Sequence, residues 1–385
     1  MNGPLDGIKV IDLSTIVSGP LAGSLMGDQG ADVVKIESPT RPDNARFMGP
    51  IRGENGALFA AANRSKRSLA LDLKKEGAKD IIYKLIENSD VIMDNFRPGI
   101  LKKLGLEYSD VKKYNSKIIQ LSITGYGVDG PYSKRRVYDP LIQATAGIAN
   151  TQSIGDAPKF VKTLMCDKIT SLTAAQSVTA ALYAREKTNE GQKINLSMLD
   201  TAMYFMWSDN MYNFTWLGDD WEPIPNIADF YEPVKTKDGY IALVAINDAE
   251  FAGVCKAIER EDLLTDERFS TMQNRMMNVI EMQKILLHSY TLFTSEDLVN
   301  RMDENDVPSA IINKLNEMID GDSPLTNSMK HLIAMVSQTD STALILGETG
   351  TGKDIIAQAI HKCSKKKRTL CYCKLCCNSF RIIRI

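Results

Sequence analysis

The N-terminal stretch that decides the fold is IKVIDLSTIVSGPLAGSLMGDQGADVVKIE, residues 8–37. Its apolar run at residues 8–13 predicts a buried strand, and residues 21–29 predict a helix that ends at Gly30 in a left-handed conformation. Residues 31–37 predict a second strand. A strand, a helix and a strand in such close succession are typical of a parallel α/β sheet. No Gly-x-Gly-x-x-Gly follows the first strand, so this is not the dinucleotide-binding fingerprint.

The same alternation continues along the chain. Apolar runs at residues 69–73, 91–94 and 118–123 predict three further strands, and residues 77–88 predict an amphipathic helix between two of them. The sequence therefore predicts an α/β fold built on a parallel sheet.

Polar and glycine-rich segments lie next to these strands. Lys66 and Arg67 precede the third strand, residues 95–99 follow the fourth, and residues 124–127 and 130–132 follow the fifth. In open α/β sheets, ligands bind beyond the carboxyl ends of the strands. Basic residues and glycines in these loops suit a phosphorylated ligand. Solvated turns are the alternative interpretation, because Gly and Pro mark turns in any case.

One carboxylate, Asp167, stands at the head of a later run with helical spacing. An acidic residue there is favoured by the free N–H groups and the positive end of the helix dipole. A simple N-cap role, with a contribution of about 1 kcal/mol, is therefore compatible with this position. The apolar and small residues that mark the helix are Ile169, Leu172, Ala175, Gln176, Thr179, Ala180, Leu182 and Tyr183.

Composition sets the class of protein. The chain has 385 residues, 44% hydrophobic residues and a net charge of -2, so it can bury a large core and lacks a general nucleic-acid footprint. No apolar run reaches the roughly 18 residues of a membrane span, and the N-terminus has no signal-peptide character. We therefore expect a cytoplasmic protein with no membrane or nucleic-acid partner. Only three histidines occur, so we expect no metal site.

Several short segments recur, in order, in one known family. Residues 1 to about 312 resemble the class III CoA-transferases, the formyl-CoA and carnitine CoA-transferase family of CaiB/BaiF type. This resemblance implies a Rossmann-like large domain at 1–225, a small α+β domain at 226–316 and an interlocked homodimer. The segments are LDGIKVIDL, SGP, GADVVKIE, NRSKRSLALDL, NFRPG, the stretch around Asp167, KDGY, DERF and DVP.

The resemblance also implies the chemistry and the site. Asp167 matches the family's nucleophile, which would carry CoA as an aspartyl thioester between an acyl-CoA donor and a carboxylic acid acceptor. Tyr138 matches a position near the active site. The residues expected along coenzyme A are Thr15, Ile16, Val17, Ser18, Lys66, Arg67, Asn95, Phe96, Arg97, Lys103 and Arg136.

Two features leave the acceptor open. The formyl-CoA branch has glutamine at the position of Val17, and most relatives have arginine or histidine at that of Thr15. The glycine-rich loop of that branch is also absent between Gly218 and Tyr231. The α-methylacyl-CoA racemases share this fold and are the alternative activity. They use a histidine near the position of Tyr138, whereas no histidine precedes His288 here.

The C-terminal part follows a different pattern. The return segment that completes the large domain in the family is missing, and residues 317–368 are instead similar to the start of the AAA+ domain of bacterial enhancer-binding (sigma-54-interacting) activators. A nucleotide-binding regulatory fragment, or an inactive truncated fusion, are therefore further alternatives. Residues 369–385 fit an out-of-frame tail, expected to be disordered or poorly packed. The P-loop of this fragment would use Gly347, Gly350, Gly352, Lys353 and Asp354.

Overall fold

The computed structural model divides the chain into two compact units, Met1–Pro223 and Ile224–Ile385. It describes residues 3–218, 220–226, 228 and 231–314, together with the backbone of three strands at 342–346, 372–373 and 380–384. The sequence places the corresponding domain boundary after residue 225. The proposed division of the C-terminal part at residues 317 and 369 stays a prediction.

The first unit is an α/β structure. Its strands are β1 (Lys9–Asp12), β2 (Asp32–Glu37), β3 (Ile51–Arg52), β4 (Asn55–Gly56), β5 (Lys66–Ala70), β6 (Val91–Asp94), β7 (Ile119–Thr124) and β8 (Lys193–Ser197). Its α-helices are α1 (Ser18–Asp28), α2 (Ala57–Ala62), α3 (Ala78–Glu87), α4 (Ile100–Leu104), α5 (Tyr108–Val111), α6 (Asp139–Thr145), α7 (Ile148–Thr151), α8 (Met165–Thr188) and α9 (Met198–Trp207).

The predicted parallel sheet is confirmed. Six strands pair in the order β5-β2-β1-β6-β7-β8, and every neighbouring pair is parallel. All residues of β6 and β7 are buried, as expected for strands covered on both faces. The chain proceeds outward from β1 in one direction and from β6 in the other. In such sheets this reversal leaves a crevice at the carboxyl ends of the two central strands.

The third predicted strand begins earlier than expected. Lys66 and Arg67 lie inside β5, not in the loop before it, and pair with Val33 and Val34 of β2. Successive side chains of a strand point to opposite faces, so these two cations cannot share one site. The strand β8 was not among the predicted elements.

The helix α1 packs closely on the end of β1 and against α8. A Cβ atom added to Gly19 would lie 2.2 Å from Ser14 Cβ, and one added to Gly23 would lie 3.1 Å from Asp12 Oδ2. The two glycines therefore let the helix approach the carboxyl end of β1. This approach brings the N-termini of α1 and α8 to the same edge of the sheet.

The second unit has its own core. Its strands β9 (Val234–Lys235), β10 (Tyr240–Leu243) and β11 (Ser309–Ile311) form an antiparallel sheet in the order β11-β10-β9. Its helices are α10 (Asp248–Ala257), α11 (Met272–Met277), α12 (Val279–Tyr290) and α13 (Ser295–Glu304). The core is built around Phe251, Phe269 and Leu298, each at most 6% exposed. None of the described helices has the length and apolar content needed to cross a bilayer.

Three C-terminal strands pair with one another. These are β12 (Thr342–Leu346), β13 (Tyr372–Cys373) and β14 (Phe380–Arg384), with β14 antiparallel to both others. The strand β12 directly precedes the P-loop pattern, but the P-loop glycines and Lys353 lie outside the described residues. The expectation that the tail is disordered or poorly packed stays a prediction, although the tail contains the strands β13 and β14. Their aromatic and β-branched residues favour strands whatever the origin of the tail.

Candidate active site

A cleft of about 300 Å³ opens at the carboxyl ends of β1 and β6. It lies where the strand order reverses, which is the expected position for a ligand. Several predicted residues meet there: Thr15, Ile16, Ser18, Asn95, Phe96, Arg97, Arg136, Tyr138 and Asp167.

Asp167 is the third residue of α8 and is 8% exposed. The N-cap of the helix is Leu164, so the interpretation of Asp167 as an N-cap is wrong. The backbone N–H of Asp167 instead donates to Asp139 Oδ1 at 2.9 Å. Its own carboxylate accepts hydrogen bonds from the backbone N–H and the hydroxyl of Ser18, the first residue of α1. Two helix N-termini therefore meet at this carboxylate.

The surroundings of Asp167 raise the pKa of its carboxyl group above the usual value. The pKa of Asp167 is raised to about 6, because burial and the adjacent Asp139 carboxylate raise it more than the two Ser18 hydrogen bonds lower it. Among the described residues, no lysine or arginine forms an ion pair with Asp167. The group is thus mostly charged at pH 7, yet it is desolvated and lacks a cation partner. A poorly solvated carboxylate of this kind is suited to nucleophilic attack.

Cys166, the residue before Asp167, is unsuited to that role. Cys166 is fully buried, and burial raises the pKa of its thiol to about 12, so it remains a neutral thiol. The described residues that line the cleft include no histidine. This composition disfavours the racemase alternative, which depends on a histidine.

Asn95 contacts the chain as well as the cleft. Its Oδ1 accepts from the Thr15 N–H at 2.8 Å, and its Nδ2 donates to the Thr15 carbonyl at 2.7 Å. Both ends of the amide are therefore engaged with the turn between β1 and α1. The structure gives Asn95 a role in holding that turn.

Four predicted coenzyme A contacts do not line the cleft. The Lys66 ammonium group donates to Asp12 Oδ2 at 2.8 Å, Pro20 O at 2.6 Å and Asn63 Oδ1 at 2.8 Å, and its side chain is 1% exposed. Its three donors are thus used inside the protein. Arg67 points to the other face of β5 and pairs with Asp32, whereas Val17 is buried and Lys103 is exposed on α4.

Other cleft residues escaped the sequence prediction. Arg135 precedes the predicted Arg136, and its guanidinium lies 3.8 Å from the ring centre of Tyr132. Its adjacency to Arg136 was the available signal. Asp139, which follows Tyr138, accepts the Asp167 backbone N–H but does not line the cleft. Asp43 also lines the cleft, but no local pattern marks it. No described carboxylate forms an ion pair with the cleft arginines Arg97, Arg135 and Arg136.

The described part of the chain contains no candidate metal site. Those residues contain no cluster of three or more His, Cys, Asp or Glu side chains that could hold an ion.

The comparisons with known proteins point to one family for most of the chain and to a second family for its C-terminal part. Residues 5–343 match the model described as CoA-transferase family III, and residues 319–381 match the sigma-54 interaction domain. The chain is 33% identical over 329 residues to a succinate–glutarate CoA-transferase of Agrobacterium fabrum, covering 82% of this chain and 81% of that protein. It is 31% identical to the human succinyl-CoA:glutarate CoA-transferase, covering 85% of this chain and 75% of that protein.

A solved structure supports the same assignment. The crystal structure of a CAIB/BAIF family protein from Brucella suis has a TM-score of 0.75 and 32% identity, and the match covers 86% of this chain and 88% of the other. The family match extends beyond residue 312, where the resemblance in the sequence was expected to end. The chain therefore belongs to CoA-transferase family III and is a CoA-transferase, an enzyme that moves CoA between an acyl-CoA and a carboxylic acid.

Proposed function

We propose that Asp167 is the nucleophile of this CoA-transferase and carries CoA as an aspartyl thioester. The observation that supports this most directly is the desolvated carboxylate, which faces a cleft and has no cation partner among the described residues. Covalent catalysis of this kind divides one difficult step into easier ones.

The proposed reaction has four transfers. The Asp167 carboxylate attacks the donor thioester carbonyl and expels CoA thiolate, which leaves a mixed anhydride. The thiolate then attacks the aspartyl carbonyl, releasing the donor acid and forming the aspartyl-CoA thioester. The acceptor carboxylate attacks this thioester, which again gives an anhydride and free thiolate. Attack of the thiolate on the acceptor carbonyl forms the new acyl-CoA and restores Asp167.

The cleft arginines suit the charges of both substrates. Phe96, Arg97 and Arg136 lie beside the β1–α1 turn and would contact CoA, and Tyr138 is 68% exposed at the start of α6. Arg135 adds a guanidinium that is held against Tyr132. A guanidinium recognises a carboxylate through paired hydrogen bonds. We therefore propose a dicarboxylic acid acceptor, as named for the succinate–glutarate enzyme.

A homodimer is the proposed assembly. Large apolar side chains are exposed along α8 and α9 and after them, including Leu172 at 60%, Tyr183 at 65%, Tyr204 at 85% and Leu217 at 94%. An apolar surface of this extent is typical of an interaction site. The measurement is the mass of the protein in solution by light scattering, for which we expect twice 42.7 kDa. The cytoplasmic location stays a prediction.

Covalent labelling tests the nucleophile. The protein is incubated with succinyl-CoA, with and without glutarate, and its peptides are weighed by mass spectrometry. We expect a CoA adduct on the peptide that contains Asp167, and conversion of the adduct to a hydroxamate by hydroxylamine. Turnover with a label on another residue, or with no hydroxylamine-sensitive adduct, would refute the proposal.

A second proposal concerns the C-terminal segment. We infer that residues 319–368 are a fragment of a sigma-54 activator AAA+ domain, on the basis of the P-loop pattern and the family match. A ligand that binds the folded state raises the melting temperature. If acyl-CoA raises the melting temperature and ATP does not, the fragment has no nucleotide site. A rise with ATP that is lost in Lys353→Ala would support one.

A further inference from the structure

The turn between β1 and α1 contains a strained residue. Ile16 has a φ of +69°, which β-branched residues adopt only when the surrounding structure holds them there. Of the other non-glycine residues with positive φ in the described ranges, Ser65, Asn189, Glu259 and Asp306, none is β-branched. Ile16 lines the cleft, so this strain lies at the site itself.

Side chains from both neighbouring strands hold this turn. Both carboxylate oxygens of Asp43, in the loop after β2, lie 3.0 Å from the Ile16 nitrogen. Asn95, which follows β6, accepts a hydrogen bond from the Thr15 N–H through its Oδ1 and donates one to the Thr15 carbonyl through its Nδ2. Two consecutive residues of the turn are thus fixed from opposite sides.

Asp43 is itself fixed by charge. Its side chain is fully buried and lies 3.4 Å from the ammonium of Lys35, which is 2% exposed. The same ammonium donates to the Ser14 carbonyl, at the start of the turn. Asp43 also accepts the Ala45 N–H at 2.9 Å and so begins the short helical turn Asn44–Phe47. A neutral side chain at residue 43 would leave the buried Lys35 without the carboxylate with which it forms an ion pair.

The turn leads directly into the group that contacts Asp167. Ser18 follows Ile16 by two residues and donates its N–H and hydroxyl to the Asp167 carboxylate. Its carbonyl accepts a hydrogen bond from Ser171 Oγ of α8 at 2.7 Å. The path of the turn therefore determines where these two donors point.

We propose that Asp43 is a positioning residue for Asp167: together with Asn95 it holds the strained turn so that Ser18 donates to the nucleophile. This inference rests on the proposed role of Asp167. Releasing Ile16 removes the Ser18 hydrogen bonds, which favour the charged carboxylate, while burial and the Asp139 charge that oppose ionisation remain. The pKa of Asp167 then rises, and the acid limb of the pH profile of kcat moves to higher pH. The neutral Cys166 thiol contributes no charge to this balance.

A double-mutant cycle with glycine at residue 16 tests the proposal, because glycine adopts positive φ without strain. We expect Asp43→Asn to lower kcat roughly 10- to 100-fold in the parent protein, since small misplacement of reacting groups has effects of that size. In the Ile16→Gly background we expect a cost under about 5-fold. Equal costs in the two backgrounds would overturn the proposal, because they would show that Asp43 acts independently of the turn.

A second variant tests the proposal independently, in case Asp43→Asn does not fold. Asn95→Ala removes the other support without leaving a buried charge, and its acid limb should move up by at least about half a pH unit. If the acid limb of the pH profile of Asn95→Ala does not move, the proposal is overturned. Asp32→Asn, which alters only an exposed ion pair of β2, is the matched control and should leave the pH profile unchanged. Failure of the nucleophile proposal is seen separately, as the absence of the labelled Asp167 peptide in the parent protein.

Discussion

Asp12 and Asp167 are buried aspartates on either side of α1, and their surroundings are opposite. Asp12 ends β1, is fully buried, and lies 2.8 Å from the Lys66 ammonium, with Lys35 nearby. Burial raises its pKa, but the two lysine charges and the hydrogen bonds outweigh burial, so the pKa of Asp12 lies below its usual value. Asp167 has the Asp139 carboxylate beside it, and its pKa is raised to about 6.

This difference separates a structural carboxylate from a reactive one. Burial is common to both groups, so burial alone does not assign a function. A cation partner neutralises Asp12 and removes its tendency to react, whereas a neighbouring like charge leaves Asp167 unneutralised. Perturbed groups of the second kind are found at functional sites more often than paired ones.

Loss of the reactive carboxylate should have the largest effect. In Asp167→Asn the amide cannot attack a thioester, so we expect turnover to fall at least about 10,000-fold, as for other lost nucleophiles. The measurement is CoA transfer from succinyl-CoA to glutarate. Asp139→Asn is the informative comparison, because Asp139 holds the Asp167 backbone and should retain more activity. Full turnover by Asp167→Asn would remove the distinction drawn between the two aspartates.

Loss of the paired carboxylate should act on stability instead. Asp12→Asn leaves Lys66 buried without its counter-charge, and breaking a buried pair typically costs about 3–5 kcal/mol in the free energy of unfolding. Chemical denaturation measures this. The double variant Asp12→Asn with Lys66→Met removes both charges and should regain much of the loss. A midpoint in Asp12→Asn equal to that of the parent would contradict the structural role.

The reactive carboxylate should also cost stability in a pH-dependent way. A raised pKa means that the folded state binds the proton more tightly than the unfolded state does, so the cost is present above about pH 6 and disappears as the pH falls toward 3.8. At pH 8 we expect the free energy of unfolding of Asp167→Asn to exceed that of the parent by about 1–3 kcal/mol. At pH 4 the two should be nearly equal. Asp94, whose pKa burial raises to about 6, is common to both proteins and cancels.

The smallest effect should come from the exposed neighbour of Lys66. Arg67 pairs with Asp32 at 2.6 Å, with side-chain exposures of 69% and 44%. Exposed pairs contribute less than about 1 kcal/mol, so Arg67→Gln should hardly change the denaturation midpoint. Because Arg67 does not line the cleft, the KM for succinyl-CoA should also be unchanged, whereas Arg97→Gln should raise it. An equal rise in both variants would restore Arg67 to the predicted CoA site.

Local patterns were sufficient for the elements of the sheet. Short apolar runs located β1, β2, β6 and β7, because strands covered on both faces are apolar throughout, and amphipathic spacing located α3. The predicted start of β5 was three residues too late, which placed Lys66 and Arg67 together in the preceding loop. In the structure the two residues lie within the strand and on its opposite faces.

The sequence by itself determined the α/β fold, the family and the identity of Asp167 as the candidate nucleophile, since ordered motifs survive without knowledge of contacts. Only the tertiary structure decided which charges are paired. Asp139 meets Asp167 across 28 residues of chain, and Asp43 meets Ile16 across 27. Periodicity assigns a residue to a face but does not specify its partner on another element. The partner depends on how the elements pack, and the partner sets the charge state of each buried group.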